Sequence, residues 1–141
     1  MICRQTTAQV ALETTIEWGD CDDAGIVFYP RYFYWMDCAY QKFLRLRGLN
    51  QRRLRAEFGA CGTPLVSASA DFRAPATYDQ SLAVDVIVAE WGRTSFRLVY
   101  RGLSDGTLIF EGQETRVWAV PREGSGIRLS PIPPEIQLAL S

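Results

Sequence analysis

Apolar and polar residues alternate over positions 9–18, with Val10, Leu12, Thr14, Ile16 and Trp18 on one side and Ala11, Glu13, Thr15 and Glu17 on the other. A period of two is that of a half-buried strand. From Arg31 to Gly48 the period changes: Tyr32, Trp35, Met36, Ala39, Tyr40, Phe43 and Leu44 recur at steps of three and four. That spacing predicts a helix with one broad apolar face. Pro30 suits its first turn, where a missing amide hydrogen costs nothing, and Gly48 suits its end. Phe33 and Tyr34 widen the apolar surface beyond one stripe, so a sheet is expected to embrace this helix on more than one side.

A shorter polar helix or irregular segment is expected over residues 51–58, followed by a loop at Gly59-Ala60-Cys61-Gly62-Thr63-Pro64. Four runs rich in β-branched and aromatic residues then predict strands at 65–73, 82–91, 95–103 and 107–120. Ser104-Asp105-Gly106, between the last two, is a strong hairpin signal. The proline-rich tail offers one short strand near 127–129 and then a loose or helical end. One strand, one long buried helix and a run of antiparallel strands predict an α+β fold, a sheet curled around a central helix. A seventeen-residue helix would span about 25 Å, the width of five or six strands at about 4.8 Å each.

Composition narrows the class of protein. With 141 residues and 48% hydrophobic content, the chain can fill one core, and a single domain over 1–141 is expected. A formal net charge of −1 gives no general attraction for nucleic acid or an anionic membrane. No window approaches the length of a membrane span, and Met1-Ile2-Cys3-Arg4-Gln5-Thr6-Thr7 lacks the pattern of a secretory signal, so a cytoplasmic protein is expected. Cys3, Cys21, Cys38 and Cys61 have no C-x-x-C spacing and are expected to be reduced and free of metal.

Candidate chemistry is concentrated at Gly19-Asp20-Cys21-Asp22-Asp23-Ala24-Gly25-Ile26-Val27-Phe28-Tyr29-Pro30, which sets three carboxylates in four positions between the first strand and the long helix. The chain contains no histidine, so the usual base near neutral pH is missing and carboxylates lead the candidates. Cys21 is a weaker nucleophile candidate, because flanking aspartates disfavour a thiolate. First-turn amides of a helix lack intrahelical acceptors and face negative charge favourably. A carboxylate opposite such donors has the parts for acyl transfer: a nucleophile or base, and an oxyanion hole. Aspartate in general is ionised at pH 7, a poor base but an available nucleophile, which calls for an activated acyl group such as a thioester. The plainer reading of these aspartates is capping and turn formation.

The segment from Gly19 to Tyr32, followed by Trp35-Met36-Asp37, resembles the hotdog-fold 4-hydroxybenzoyl-CoA thioesterase family. Gly62-Thr63-Pro64, Ala76-Thr77-Tyr78-Asp79, Glu90-Trp91 and Ser95-Phe96 follow in the family's order. The resemblance implies an antiparallel five- to six-stranded sheet around one long helix. It also implies subunits joined edge to edge with active sites at their interface, dimers paired into tetramers, and neither cofactor nor metal. It places the catalytic aspartate on Asp22, the oxyanion donor on the backbone amide of Tyr29, a partner for a polar acyl-ring substituent on Asp37, and a pocket position on Thr63. The implied activity is hydrolysis of an aromatic, hydroxybenzoyl-like acyl-CoA to free acid and CoA.

The chain departs from the family pattern at two places. Asp23 stands where proline is common, adding a charge that either interacts with Asp22 or points to solvent. The basic cluster after Glu-Trp is thinned to Gly92-Arg93-Thr94, leaving Arg93 and Arg128 as candidates for the CoA phosphates. A second basic group, from Lys42 to Arg55, reads as a solvated face. Three alternatives stand beside the aryl reading. Aliphatic acyl-CoA or acyl carrier protein thioesters could be the substrate; a dehydratase is disfavoured by the missing histidine; and an acyl-CoA-binding module would show no turnover.

Overall fold

The computed structural model describes residues 8–141; Cys3 and the rest of the N-terminal heptad lie outside them. Five strands, β1 (Gln9–Thr15), β2 (Leu65–Phe72), β3 (Ser81–Trp91), β4 (Ser95–Ser104) and β5 (Thr107–Val117), form one antiparallel sheet in the order β1-β3-β4-β5-β2. The helix α1 (Pro30–Leu46) crosses its inner face. Alternation decides which side chains meet it: Leu82, Val84, Val86 and Val88 from β3, Phe96, Leu98 and Tyr100 from β4, and Phe110 from β5 are all buried. From the helix come Tyr32, Trp35, Met36, Ala39, Tyr40, Phe43 and Leu44, the set that the spacing predicts. Gly112 on β5 lets α1 approach, since a β-carbon there would stand 2.5 Å from the Met36 sulfur. This is the hotdog arrangement that the resemblance implies.

The second helix, α2 (Gln51–Phe58), follows Asn50, whose side chain caps it by accepting a bond from the Arg53 amide at 2.8 Å. A small separate ladder joins β6 (Ala119–Pro121) to β7 (Ile127–Leu129), and α3 (Pro134–Leu140) closes the chain. No helix among the described residues is long and apolar enough to cross a membrane.

Four expectations change. Val10 is 51% exposed, because the β1–β3 register shifts between Val10 and Leu12; the bulge puts these residues on opposite faces. Trp18 is also exposed, since β1 ends at Thr15 and Trp18 opens a 3₁₀ turn, edge-on to Tyr78. The single strand expected over 107–120 is broken at Trp118, whose buried amide turns away to the Thr94 carbonyl at 2.8 Å. Nor is α1 enclosed all round. Phe33 is half-buried and Tyr34 is 53% exposed, so one flank of the helix is open.

β2 is an edge strand, bonded only to β5, and both of its faces are largely solvent-accessible, including Leu65, Val66 and Phe72. Exposed apolar residues on an unpaired edge are unusual, because such an edge is a template for another strand.

Candidate active site

The acidic segment folds as a small hairpin. Its base is the 3₁₀ turn Trp18–Asp20, where the Glu17 amide donates to the Asp20 carboxylate at 2.8 Å. The other Asp20 oxygen meets Arg31 in the first turn of α1, also at 2.8 Å. Asp20 is thereby buried and fully engaged in tying the strand end to the helix start. Cys21 then faces Val27, the Asp22 amide donates to Ile26, and the Phe28 amide donates to Asp20, leaving Asp22 to Gly25 as the tip. The Ala76-Thr77 loop holds this hairpin from outside: the Val27 amide donates to Ala76 at 2.9 Å and the Thr77 hydroxyl to Gly25 at 2.6 Å. These bonds give the Ala76-Thr77-Tyr78-Asp79 landmark a physical role.

The three aspartates thus have three different environments. Asp22 is exposed, and its Oδ1 accepts the Ala24 amide at 2.9 Å, which orients the carboxylate and leaves Oδ2 without a partner among the described residues. Asp23 is exposed and makes no hydrogen bond or ion pair there, so its charge points to solvent. Tyr29 is the N-cap of α1, with φ −54° and ψ −31°, and its amide meets no acceptor among the described residues. Beside it opens a cleft of about 280 Å³ lined mainly by Ile26, Val27, Tyr29, Tyr32 and Phe72. Burial, with a smaller contribution from Cys21, pushes the Tyr32 phenol above its usual range, so this wall of the cleft is uncharged near pH 7. The segment thus supplies an oriented carboxylate at Asp22 and, seven residues on, a free helix-start amide at the mouth of an apolar cleft, the kinds of group that acyl transfer uses.

Asp37 and Thr63 belong to a second cluster. Asp37 lies eight residues beyond Tyr29, about 12 Å along the helix axis. Its Oδ1 accepts from the Arg116 guanidinium at 3.0 Å. The same guanidinium donates to Glu114 at 3.1 Å and to the Thr63 carbonyl at 3.1 Å, and stacks on the Tyr40 ring. Tyr100 donates to the other side of the cluster through Glu114, and the hydroxyls of Tyr40 and Thr63 are 2.7 Å apart. Thr63 is therefore buried, and its hydroxyl satisfies Tyr40 rather than backbone. Burial opposes the Arg116 charge, but Glu114, with Tyr100 and Tyr40, more than offsets it and leaves the guanidinium above its usual range.

Sequence reasoning missed Glu114 and Arg116. Their signal was the alternation of β5, which puts both on the face of Phe110 and Gly112 and so beneath the helix.

Arg93 and Arg128 lie elsewhere. The acidic hairpin is tied to the beginning of β3 by the Ile16 amide on Gln80, whereas Arg93 sits in the turn beyond its far end. Eleven strand residues separate the two, about 36 Å at strand rise. Arg128 on β7 is brought to the same distant end, since Ser130 bonds to Trp118 and Ile132 to Arg93. Both arginines are exposed and without ion pairs among the described residues. Cys21, Cys38 and Cys61 are free thiols, and among the described residues no group of three Cys, Asp or Glu converges to hold a metal.

A hotdog sheet with a carboxylate hairpin at the helix start defines a class, and the chain belongs to the thioesterase-like superfamily, which it matches over residues 16–140. Within that class it is 36% identical to the 4-hydroxybenzoyl-CoA thioesterase of Pseudomonas sp. strain CBS-3, over 88% of this chain and 92% of the relative. The structure of that enzyme superposes with a TM-score of 0.79 at 34% identity, covering 91% of this chain and 96% of the other. A gentisyl-coenzyme A thioesterase is similar to the same degree, with a TM-score of 0.79, 32% identity and coverage of 92% and 98%.

Proposed function

We propose that this protein hydrolyses aromatic acyl-CoA thioesters to the free acid and CoA, with Asp22 as the catalytic carboxylate and the Tyr29 amide as oxyanion donor. The observation that carries this reading is the contrast among the three aspartates. Asp20 is used up in structure and Asp23 is solvated, while Asp22 is oriented with one oxygen unpartnered among the described residues, in the same short segment that ends at the unpaired Tyr29 amide. The similarity to aroyl-CoA thioesterases, covering about nine-tenths of the chain, supports the substrate class.

Two balanced routes fit. In one, an Asp22 oxygen attacks the thioester carbon, the C–S bond breaks, CoA leaves as thiolate and takes up a proton, and water then opens the mixed anhydride. In the other, Asp22 takes a proton from water as the water attacks the same carbon, the C–S bond then breaks, and the departing CoA thiolate takes up the proton, leaving the free acid. Both place developing negative charge on the carbonyl oxygen, where one backbone donor is worth about 10²–10³ in rate.

The site is completed by a second copy of the chain. This reading is supported by the open β2 edge and by the position of Arg93 and Arg128 at the opposite end of the sheet from Asp22. Arginines so placed meet the phosphates of a CoA bound at Asp22 when they come from a neighbouring subunit. A dimer is the assembly this reading requires, and the pairing of dimers into tetramers is what the family resemblance adds.

The test is release of free CoA thiol from benzoyl-, 4-hydroxybenzoyl- and hexanoyl-CoA by wild type and Asp22→Asn. The expected result is aroyl turnover that falls at least about 10²-fold in the variant. No cleavage by wild type, or full activity of Asp22→Asn, overturns the proposal.

A further inference from the structure

We infer that Asp20 and Arg31 are positioning residues for the Tyr29 amide: their ion pair locks the peptide unit that carries this donor, so that its direction is set before substrate arrives. This rests on the reading of Tyr29 as oxyanion donor given above. Phe28, the residue before it, is held at both of its backbone polar groups. Its amide donates to the Asp20 carbonyl at 2.8 Å, and its carbonyl accepts the Arg31 amide at 2.9 Å. The side chains of the same two residues meet at 2.8 Å. Asp20 and Arg31 therefore close a ring around Phe28, with two backbone hydrogen bonds and one ion pair.

A peptide unit is planar, and in the trans form its N–H lies antiparallel to its C=O. The described peptide bonds are all trans, so fixing the Phe28 carbonyl on the Arg31 amide also fixes the Tyr29 N–H, turned out of the N-terminal end of α1. A unit released from the ring could rotate about its two flanking dihedrals and aim a carbonyl where the donor stands. The ion pair opposes that rotation. The Asp20 side chain is 10% exposed and its second oxygen accepts the Glu17 amide, so separating the pair would strand a buried charge. The Arg31 guanidinium lies 4.4 Å from the centroid of the Tyr34 ring, which ties the cation to the helix. Its contact with Asp20 is made through Nη2, while Nε is buried with no partner among the described residues. A lysine would keep the charge without that unsatisfied donor, whereas a glutamine would lose the charge.

The test measures kcat and KM for 4-hydroxybenzoyl-CoA in wild type, Asp20→Asn, Arg31→Gln, the double variant and Arg31→Lys, with folding checked by circular dichroism. In each single variant kcat is expected to fall about tenfold, part of the roughly 10²–10³ that a whole backbone donor supplies. KM should stay within about twofold, because a donor to developing charge is felt in the transition state. The double variant should be no slower than the single ones, since either change already opens the ring. Arg31→Lys should recover most of what Arg31→Gln loses. If the two charges instead acted directly on the oxyanion, Arg31→Gln would be slower and Asp20→Asn faster, and that pattern overturns the inference. Unchanged kcat in folded Arg31→Gln overturns it, as does a rise in KM at constant kcat. The Arg31 side chain is 37% exposed, so its variant carries the test where Asp20→Asn does not fold. Absence of turnover by wild type, or full activity of Asp22→Asn, is a different failure: it defeats the thioesterase reading itself, and this inference with it.

Discussion

Gly102 on β4 and Phe110 on β5 are cross-strand partners, and the Phe110 ring occupies the space that a β-carbon on residue 102 would need. Phe110 is fully buried, so the ring cannot swing aside without disturbing its neighbour Tyr32. Gly102→Ala should therefore destabilise the fold by about 1–3 kcal/mol through overpacking. Gly19→Ala, where nothing lies within 4 Å, should shift stability by no more than about 0.5 kcal/mol. Urea unfolding of the two variants checks the contrast, and equal midpoints would contradict it.

Tyr40 gives stability a pH dependence in the alkaline range. Burial pushes its phenol from 10.0 up to about 12, although Thr63 and Arg116 pull in the other direction. Because the folded state holds this proton more tightly than the unfolded chain, the contribution is complete below pH 10. It is lost as pH rises from about 10 to about 12, on the order of 2–3 kcal/mol. Tyr40→Phe should lower the urea midpoint at pH 8 and flatten its decline between pH 9.5 and 11.5. An unchanged slope would show that Tyr40 is not the titrating group.

Arg93 and Arg128 can be tested by shortening the substrate. If they bind the CoA phosphates, Arg93→Glu should raise KM severalfold for an aroyl-CoA and leave KM unaltered for the corresponding N-acetylcysteamine thioester, which lacks the nucleotide. Parallel effects on both substrates would remove Arg93 from phosphate binding.

The β2 edge predicts an oligomer that one charge can disrupt. Val66 is 59% exposed on that edge, and Val66→Lys should shift the sedimentation coefficient toward the monomer and reduce activity in proportion. A fully active monomer would show that one chain holds the whole site.

Much of this was legible in the linear pattern. The seven apolar positions of α1 are the seven that the structure buries, and the expected strand over 127–129 is observed as β7, because side-chain period follows directly from backbone geometry. Val10 and Trp18 escaped it: a bulge resets the alternation and a 3₁₀ turn ends it, and neither leaves a mark in hydropathy. The acidic segment was visible as a motif, but three aspartates within four positions are equivalent to any composition argument.

Sequence by itself determined the α+β order, the buried face of the helix and the lack of an imidazole base, since these depend on local period and residue identity alone. Tertiary structure decided which aspartate is available. Asp20 is consumed by Arg31, eleven positions away, and by the Glu17 amide, and that distinction exists only once the hairpin has closed. It also decided the environment of Asp37, whose partner Arg116 is 79 residues distant. Hydrogen bonds and charge compensation depend on separation in space, and for residues this far apart in the chain only the folded sheet sets that separation.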